Sequence, residues 1–330
     1  MLFIGIYIDR NVIRISQVNP KARDASRKLD PRRRENYGLE QWYTRYQGSL
    51  PNSVSADGLS AGYDVLSSPA ETPAHRLDEA YFKSLLSGAA HSGGRRAWRS
   101  VLREIRQNYL DSMEPAAAGI YLDGVDLTTG PRPILPWRTP ATCKPDVERE
   151  LLKAGHEHGI VDLAIVDPTV AIGALARIHS ALHSSDLLLD VGYTHLTIWQ
   201  VKSVEDGSVE MITKAPGMAH LHRDGIESAN EFHEMLARPS FPPEALPVHI
   251  RQWRKETLLR SCLNAIAHVG RSKAKRLVVS GEGAQLVDEG WSKELGLSLS
   301  LLPDAQFLNS FAAAACAFSR SANNQEKPNG

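Results

Sequence analysis

The stretch LLLDVGYTHLTIWQV, residues 187–201, decides how the rest of the chain is read. Four apolar residues, Leu187, Leu188, Leu189 and Val191, enclose the carboxylate of Asp190. Gly192 then supplies the backbone freedom of a tight turn before a second apolar run resumes. Strand, glycine turn and strand is the order of an ordinary hairpin, and equally of a turn that grips a phosphate. The stretch alone leaves both open.

At 330 residues and 42% hydrophobic content the chain suffices for two domains or one large one with sizeable cores. Thirty-eight basic residues balance thirty-eight acidic ones, so no global field draws the protein to nucleic acid or to an anionic membrane. Cys143, Cys262 and Cys316 are far apart and odd in number, which argues against a disulfide framework, a zinc site or an iron–sulfur cluster. The opening MLFIGIYI meets the charged Asp9-Arg10 at once, unlike a signal peptide. No run reaches the roughly 18 apolar residues of a membrane span, so the expected location is the cytoplasm.

Residues 2–8 and 11–18 predict an N-terminal hairpin. From 19 to about 75 the chain turns basic, then rich in Ser, Gly and Pro, as in a loosely packed insertion with a few short strands. A helix is expected at 76–87. In RRAWRSVLREIRQNYLDSM another follows, with Trp98, Leu102, Ile105 and Tyr109 at helical spacing on one buried face. A strand at 117–122, a Pro-rich crossing and a helix at 145–158 lead into GIVDLAIVDPTVAIGALARIHSAL. This alternation predicts an α/β domain. After the Gly192 hairpin come a strand in SVEMITKAP, a helix near 224–237, a long helix at 247–269 ending at Gly270, and KRLVVSGEGAQL. That last segment reads as a strand, a glycine turn and a helix start, which would gather backbone N–H groups and a positive helix end in one place. It is neither a Walker loop nor G-x-G-x-x-G.

The order of these segments resembles the actin-like ATPase superfamily, which includes actin, heat-shock chaperone ATPase domains and sugar kinases. The segments that carry the resemblance are IGIYIDRNVIRISQV, VDPTVAIGALA, LLLDVGYTHLTIWQV, LVVSGEGAQL and FLNSFAAAACA, in that order, covering 1–18 and about 98–320. It implies a duplicated, ribonuclease H-like two-domain α/β fold with a nucleotide cleft between the domains. Domain I would span 1–175, with 19–97 as an insertion or subdomain. Domain II would span 176–320, and 321–330 would be a disordered tail.

The resemblance also implies ATP and Mg2+ as cofactors. Asp190 would approach the metal or its waters, and Gly192, Tyr193 and Thr194 would cradle the β- and γ-phosphates. Asp167 would orient the attacking water before a helix beginning near Thr169. Gly281, Glu282 and Gly283 would lie against ribose and base. Asp9, Arg10 and Asn11 would form the first phosphate loop, and Gly217 joins the nucleotide-binding positions. Phosphoryl transfer needs positioning and charge neutralisation more than covalent help, which suits such a set. His195, His156, His158, His220 and His222 show no metal-ligand spacing.

The sequence departs from the family pattern in the first loop. The usual G-[IL]-D-[IL]-G is here Gly5-Ile6-Tyr7-Ile8-Asp9, so a tyrosine replaces the metal-side carboxylate and a carboxylate replaces the permissive glycine. The second loop keeps one glycine, and Glu282 splits the adenosine pair. A chaperone would carry a substrate domain beyond Arg320, and the G-x-x-D stretch of sugar kinases has no counterpart with its Asp.

Three functions therefore stand. One is a cytoplasmic scaffold or clamp with a degenerate ATP site, weakly or not hydrolytic, resembling the PilM family of pilus assembly. It would dock a peptide of a membrane assembly protein, which could recruit it to the inner membrane. The second is a polymerising ATPase resembling plasmid-segregation actins, with self-assembly under nucleotide control. The third is a nucleotide-independent peptide- or nucleic-acid-binding module using Arg23 to Arg34 with Tyr37, Trp42, Tyr43 and Tyr46. The neutral charge balance weighs against nucleic acid.

Overall fold

The computed structural model describes residues 1–9, 12–18, 44–51, 92–109, 114–122, 143–179, 181–219, 221, 246–288, 290–302 and 304–325. The expected helices at 76–87 and 224–237, the Pro-rich crossing, Arg10, Asn11 and the Arg23–Arg34 segment lie outside the described residues. The chain divides into two compact units. The first comprises Met1–Lys28, Glu40–Ala171 and Asn309–Gly330, and the second Leu29–Leu39 and Ile172–Leu308.

The first unit is built on β1 (Leu2–Ile8), β2 (Val12–Val18), β3 (Thr44–Pro51), β4 (Ala116–Leu122) and β5 (Ile160–Ile165), in the spatial order β3-β2-β1-β4-β5. The β1/β2 and β2/β3 pairs are antiparallel, whereas β1/β4 and β4/β5 are parallel. Strand alternation sends Leu2, Ile4, Ile6 and Ile8 to one face. There they pack with Trp98, Leu102 and Ile105 of α1 (Ser92–Tyr109) and with Val147 and Leu151 of α2 (Cys143–His156). Trp98 Nε1 donates to the Leu151 carbonyl at 3.1 Å, which satisfies the indole's polar edge inside this core. Helix α3 (Pro168–Ile178) follows β5, and the chain passes into the second unit within it.

The second unit holds β6 (Leu187–Val191), β7 (His195–Ser203), β8 (Ser208–Pro216), β9 (Arg276–Ser280) and β10 (Ser298–Leu301), in the order β10-β9-β6-β7-β8. Here too the hairpin strands β6/β7 and β7/β8 are antiparallel, while β6/β9 and β9/β10 are parallel. Read from the third strand of each, the two sheets have one topology, which is the duplication the resemblance implies. The long helix is α4 (Val248–Trp253) and α5 (Arg260–Val269), joined through a π-helical segment, Arg254–Leu259, and it stops at Gly270 with φ +90°. Its Ile250, Trp253, Leu258 and Ile266 pack with Leu187, Leu189 and Val191. A short α6 (Trp291–Leu295) precedes β10.

Helix α7 (Leu308–Gln325) falls within the 176–320 span expected for the second domain, yet most of it belongs to the first unit. It covers the other face of the first sheet, where Phe3 meets Phe318 edge-on at 5.1 Å and Ser16 Oγ lies 2.7 Å from Ser310 Oγ. Residues 321–325 of the expected disordered tail continue this helix. Among the described residues no helix is long and apolar enough to cross a membrane.

Candidate nucleotide site

The strand-turn-strand around Gly192 takes the hairpin form read from the sequence. Asp190, the fourth residue of the central strand β6, is buried and pairs with Thr197 on β7 and with Ser280 on β9. The turn closes with the Gly192 amide donating to the His195 carbonyl at 3.0 Å. The outward side of this turn is engaged by the chain itself. Gly217 N donates to Thr194 O at 3.0 Å, Met218 N to Gly192 O at 3.3 Å, and Ala219 N to Tyr193 O at 2.7 Å. Tyr193 sinks its ring into the second unit's core, so Thr194, half-buried, carries the more accessible side-chain hydroxyl of the turn. Gly217 is glycine for close packing, since a Cβ there would come within 2.5 Å of the Gly192 and Tyr193 carbonyl oxygens.

The third loop meets the second. A Cβ on Gly281, whose φ is +90°, would lie 2.5 Å from Asp190 Oδ1 and 2.6 Å from Val191 N, so only glycine fits beside that carboxylate. The expected helix start after Gly283 is instead a three-residue 3₁₀ turn, Ala284–Leu286. Amides of the loop are bonded to the chain itself, with Gly281 N donating to Ala305 O at 3.0 Å, Gly283 N to Val191 O at 2.9 Å and Ala284 N to Gly281 O at 3.2 Å. A positive helix end is therefore not presented here. Beside Gly283 the sulfur of Met218 fills the space a side chain would take, 2.5 Å from the position of a Cβ. Glu282 is buried. Met218 and Ala305 are the residues of this knot that the sequence pattern misses, because neither carries a glycine or charge signal.

In the first unit Asp9 is buried at the end of β1, its amide donating to the Val12 carbonyl at 3.0 Å. The hydroxyl of Tyr7 donates to Asp9 Oδ2 at 3.1 Å, and the Tyr7 ring packs edge-on against Tyr121 at 5.6 Å. Arg14, also buried, stands opposite Tyr7 in the β1/β2 register. Asp167 has a local partner as well. Its Oδ1 accepts from Thr169 N at 2.8 Å and from Val170 N at 3.4 Å, which caps α3.

ATP with Mg2+ can be tested against these groups. A phosphate beside the Tyr7–Asp9 pair would meet a buried carboxylate where the family pattern has a glycine. Among the described residues no three His, Cys, Asp or Glu side chains come together to hold a metal. No chemical step is derived through the nucleotide.

No protein-family model matches the sequence, and no curated protein matches it. Solved structures do. The MamK double helical filament matches at TM-score 0.54 and 12% identity over 99% of each chain. Ta0583, an archaeal actin homolog in complex with ADP, matches at 0.52 and 11%, over 97% of this chain and 100% of that one. MreB 5 of Spiroplasma citri bound to AMPPNP matches at 0.51 and 13%, over 98% of both. With two sheets of one topology and matches of this extent, the chain has the fold of the actin-like superfamily.

Proposed function

We propose that this chain is an actin-fold scaffold with a degenerate nucleotide site, weakly or not hydrolytic, whose task is to hold a protein partner. The observation that carries the reading is the Tyr7–Asp9 pair, buried and joined at 3.1 Å. Metal-assisted phosphoryl transfer calls for a carboxylate near the metal and for backbone open to the phosphate. Here a phenol replaces the first and a carboxylate replaces the other, which repels phosphate more strongly the closer it lies. The single-glycine hairpin at Gly192 supports a part in pilus or secretion assembly of the PilM kind, with recruitment to the inner membrane through the partner.

The test is calorimetric titration of the full chain with ATP and Mg2+, beside a Tyr7→Asp/Asp9→Gly double variant that restores the family's Gly-x-Asp-x-Gly order. The wild type should bind weakly or not at all, and the double variant at least about tenfold more tightly, roughly 1.4 kcal/mol. Micromolar binding with steady turnover by the wild type would overturn the reading.

A second reading, self-assembly under nucleotide control, is favoured by the likeness to the MamK filament over 99% of each chain. Sedimentation with and without AMPPNP separates the two, since nucleotide-dependent pelleting belongs to the filament alone.

A further inference from the structure

Helix α1 carries five arginines against one glutamate. Three of them, Arg99, Arg103 and Arg106, recur at spacings of four and three and so share one side of the helix. The turn His156–Gly159, between α2 and β5, meets that side. Arg99 Nη2 donates to Glu157 Oε1 at 2.7 Å, and the Arg106 guanidinium comes within 3.7 Å of the position of a Cβ on Gly159. Arg106 Nη2 donates to the Glu114 carbonyl at 3.1 Å, while its Nη1 is buried without a hydrogen-bond partner among the described residues, so Arg99 and Arg103 carry the exposed part of this face. His158 sits in the same positive field. Burial first, and then Arg103, Arg99 and Arg106, hold its pKa below the ordinary histidine value against the opposing pull of Glu157.

The cluster stands at the N-terminal ends of β4 and β5, where Ala116 N donates to Gly159 O at 2.8 Å. Asp9 and Asp167 follow the C-terminal ends of β1 and β5, which run parallel to β4. The arginines therefore lie at the opposite end of the sheet from the first-unit residues of the candidate nucleotide site.

We infer that the Arg99–Arg103–Arg106 face of α1, with the His156–Gly159 turn beside it, docks an acidic peptide segment of a protein partner. The resident carboxylate shows the chemistry. Arg99 already holds Glu157 in a pair whose side chains are 44% and 55% exposed, so an incoming carboxylate can exchange for it at little cost. The dimensions suit a peptide, because seven helical residues span roughly 10 Å, about three residues of extended chain. A polyanionic duplex is a poorer match. Nucleic-acid binding draws on many phosphate contacts and a basic field, and this chain's charge sums to zero. The inference holds whether or not the chain binds nucleotide.

The experiment is a fluorescence-anisotropy titration of labelled hexaglutamate peptide with the full chain at low and at physiological salt. The proteins compared are the wild type, an Arg99→Ser/Arg103→Ser double variant and a charge-matched Lys202→Ser/Lys214→Ser control in the second unit. The wild type and the control should bind alike, more weakly as salt rises, and the arginine variant should lose about tenfold in affinity with an unchanged melting temperature. No peptide binding by the wild type, or equal binding by the arginine variant, would overturn the inference. Tighter binding of a single-stranded oligonucleotide than of the peptide would overturn it too, by assigning the face to nucleic acid.

Discussion

Gly5 and Gly119 stand side by side in register on the parallel strands β1 and β4, and the backbone of α7 lies directly over both. A Cβ on Gly5 would overlap the Ser310 carbonyl oxygen and the Ala314 amide, and one on Gly119 would overlap the Ala313 carbonyl. The alanines that follow on α7 are fully buried, so helix and sheet approach closely because neither brings side chains to the contact. Backbone cannot step aside as a flexible side chain can.

Gly5→Ala and Gly119→Ala should each therefore cost at least the upper part of the overpacking range, about 3 kcal/mol. Urea denaturation followed by circular dichroism reads this as a lower midpoint. A midpoint within error of the wild type would mean that α7 does not lie on this pair.

His179 should make the protein lose stability in mild acid. It is buried after α3, its Nδ1 accepts from Ala181 N at 3.1 Å, and burial first, then Arg276, push its pKa down to about 4. Because the folded value lies below the unfolded 6.5, the unfolded chain binds more protons between the two. The contribution is complete above about pH 6.5, drains as pH falls toward 4, and is worth on the order of 3 kcal/mol in all. His179→Asn keeps an acceptor without the titration, so its stability should fall less steeply over that window. Parallel slopes for the two proteins would remove His179 as the cause.

Much of the fold is legible in the sequence, and the reason is periodicity. Leu2 to Ile8 and Leu187 to Val191 are apolar runs bounded by turns, and Trp98, Leu102 and Ile105 recur at helical spacing, so local pattern and burial agree. The place of α7 is not legible in this way. The alanine run announces a close contact but not its partner, and the partner is a pair of glycines about 190 and 300 residues earlier in the chain. In the candidate site the glycines are legible by position, and the neighbours that crowd them are not. Gly217, Gly281 and Gly283 mark close approach, as glycine does, but what approaches is this chain's own carbonyls, Asp190 and Met218. A glycine records that space is tight and does not say whether a ligand or the protein fills it. Asp167 and Asp9 likewise show a carboxylate's position, while only the structure shows the amides and the phenol that engage them.

The entry to the second sheet is tied by Arg276 and Asp186. Arg276 Nε donates to Asp186 Oδ1 at 3.0 Å and Nη2 to Oδ2 at 2.7 Å, a two-pronged pair around a carboxylate only 2% exposed. Nη2 also reaches the Ala181 carbonyl and His183 Nδ1. Arg276→Ala leaves the buried carboxylate without its cation, held only by the His183 amide at 2.8 Å, and should cost about 3 kcal/mol. In a variant already carrying Asp186→Ala the same change should cost clearly less, and a double-mutant cycle measures the difference. Additive costs would show that the fork contributes no coupling.

Asp167 separates a structural from a chemical role most sharply. Its Oδ1 accepts from the Thr169 and Val170 amides, and Pro168 ahead of them has no N–H of its own, so the carboxylate serves the donors that the first turn of α3 leaves open. Asp167→Ala should therefore lose about 1 kcal/mol, whereas Asp167→Asn keeps an acceptor in the same place and should lose almost none. A residue that orients an attacking water behaves differently, because the amide in Asp167→Asn would leave the cap intact while lowering any ATP turnover. For a scaffold with a degenerate site, thermal melting should rank wild type and Asp167→Asn together above Asp167→Ala, and a sensitive phosphate-release assay should not distinguish the first two. A turnover present in the wild type and lost in Asp167→Asn at unchanged melting temperature would assign the carboxylate to catalysis and return the chain to the hydrolytic members of its fold.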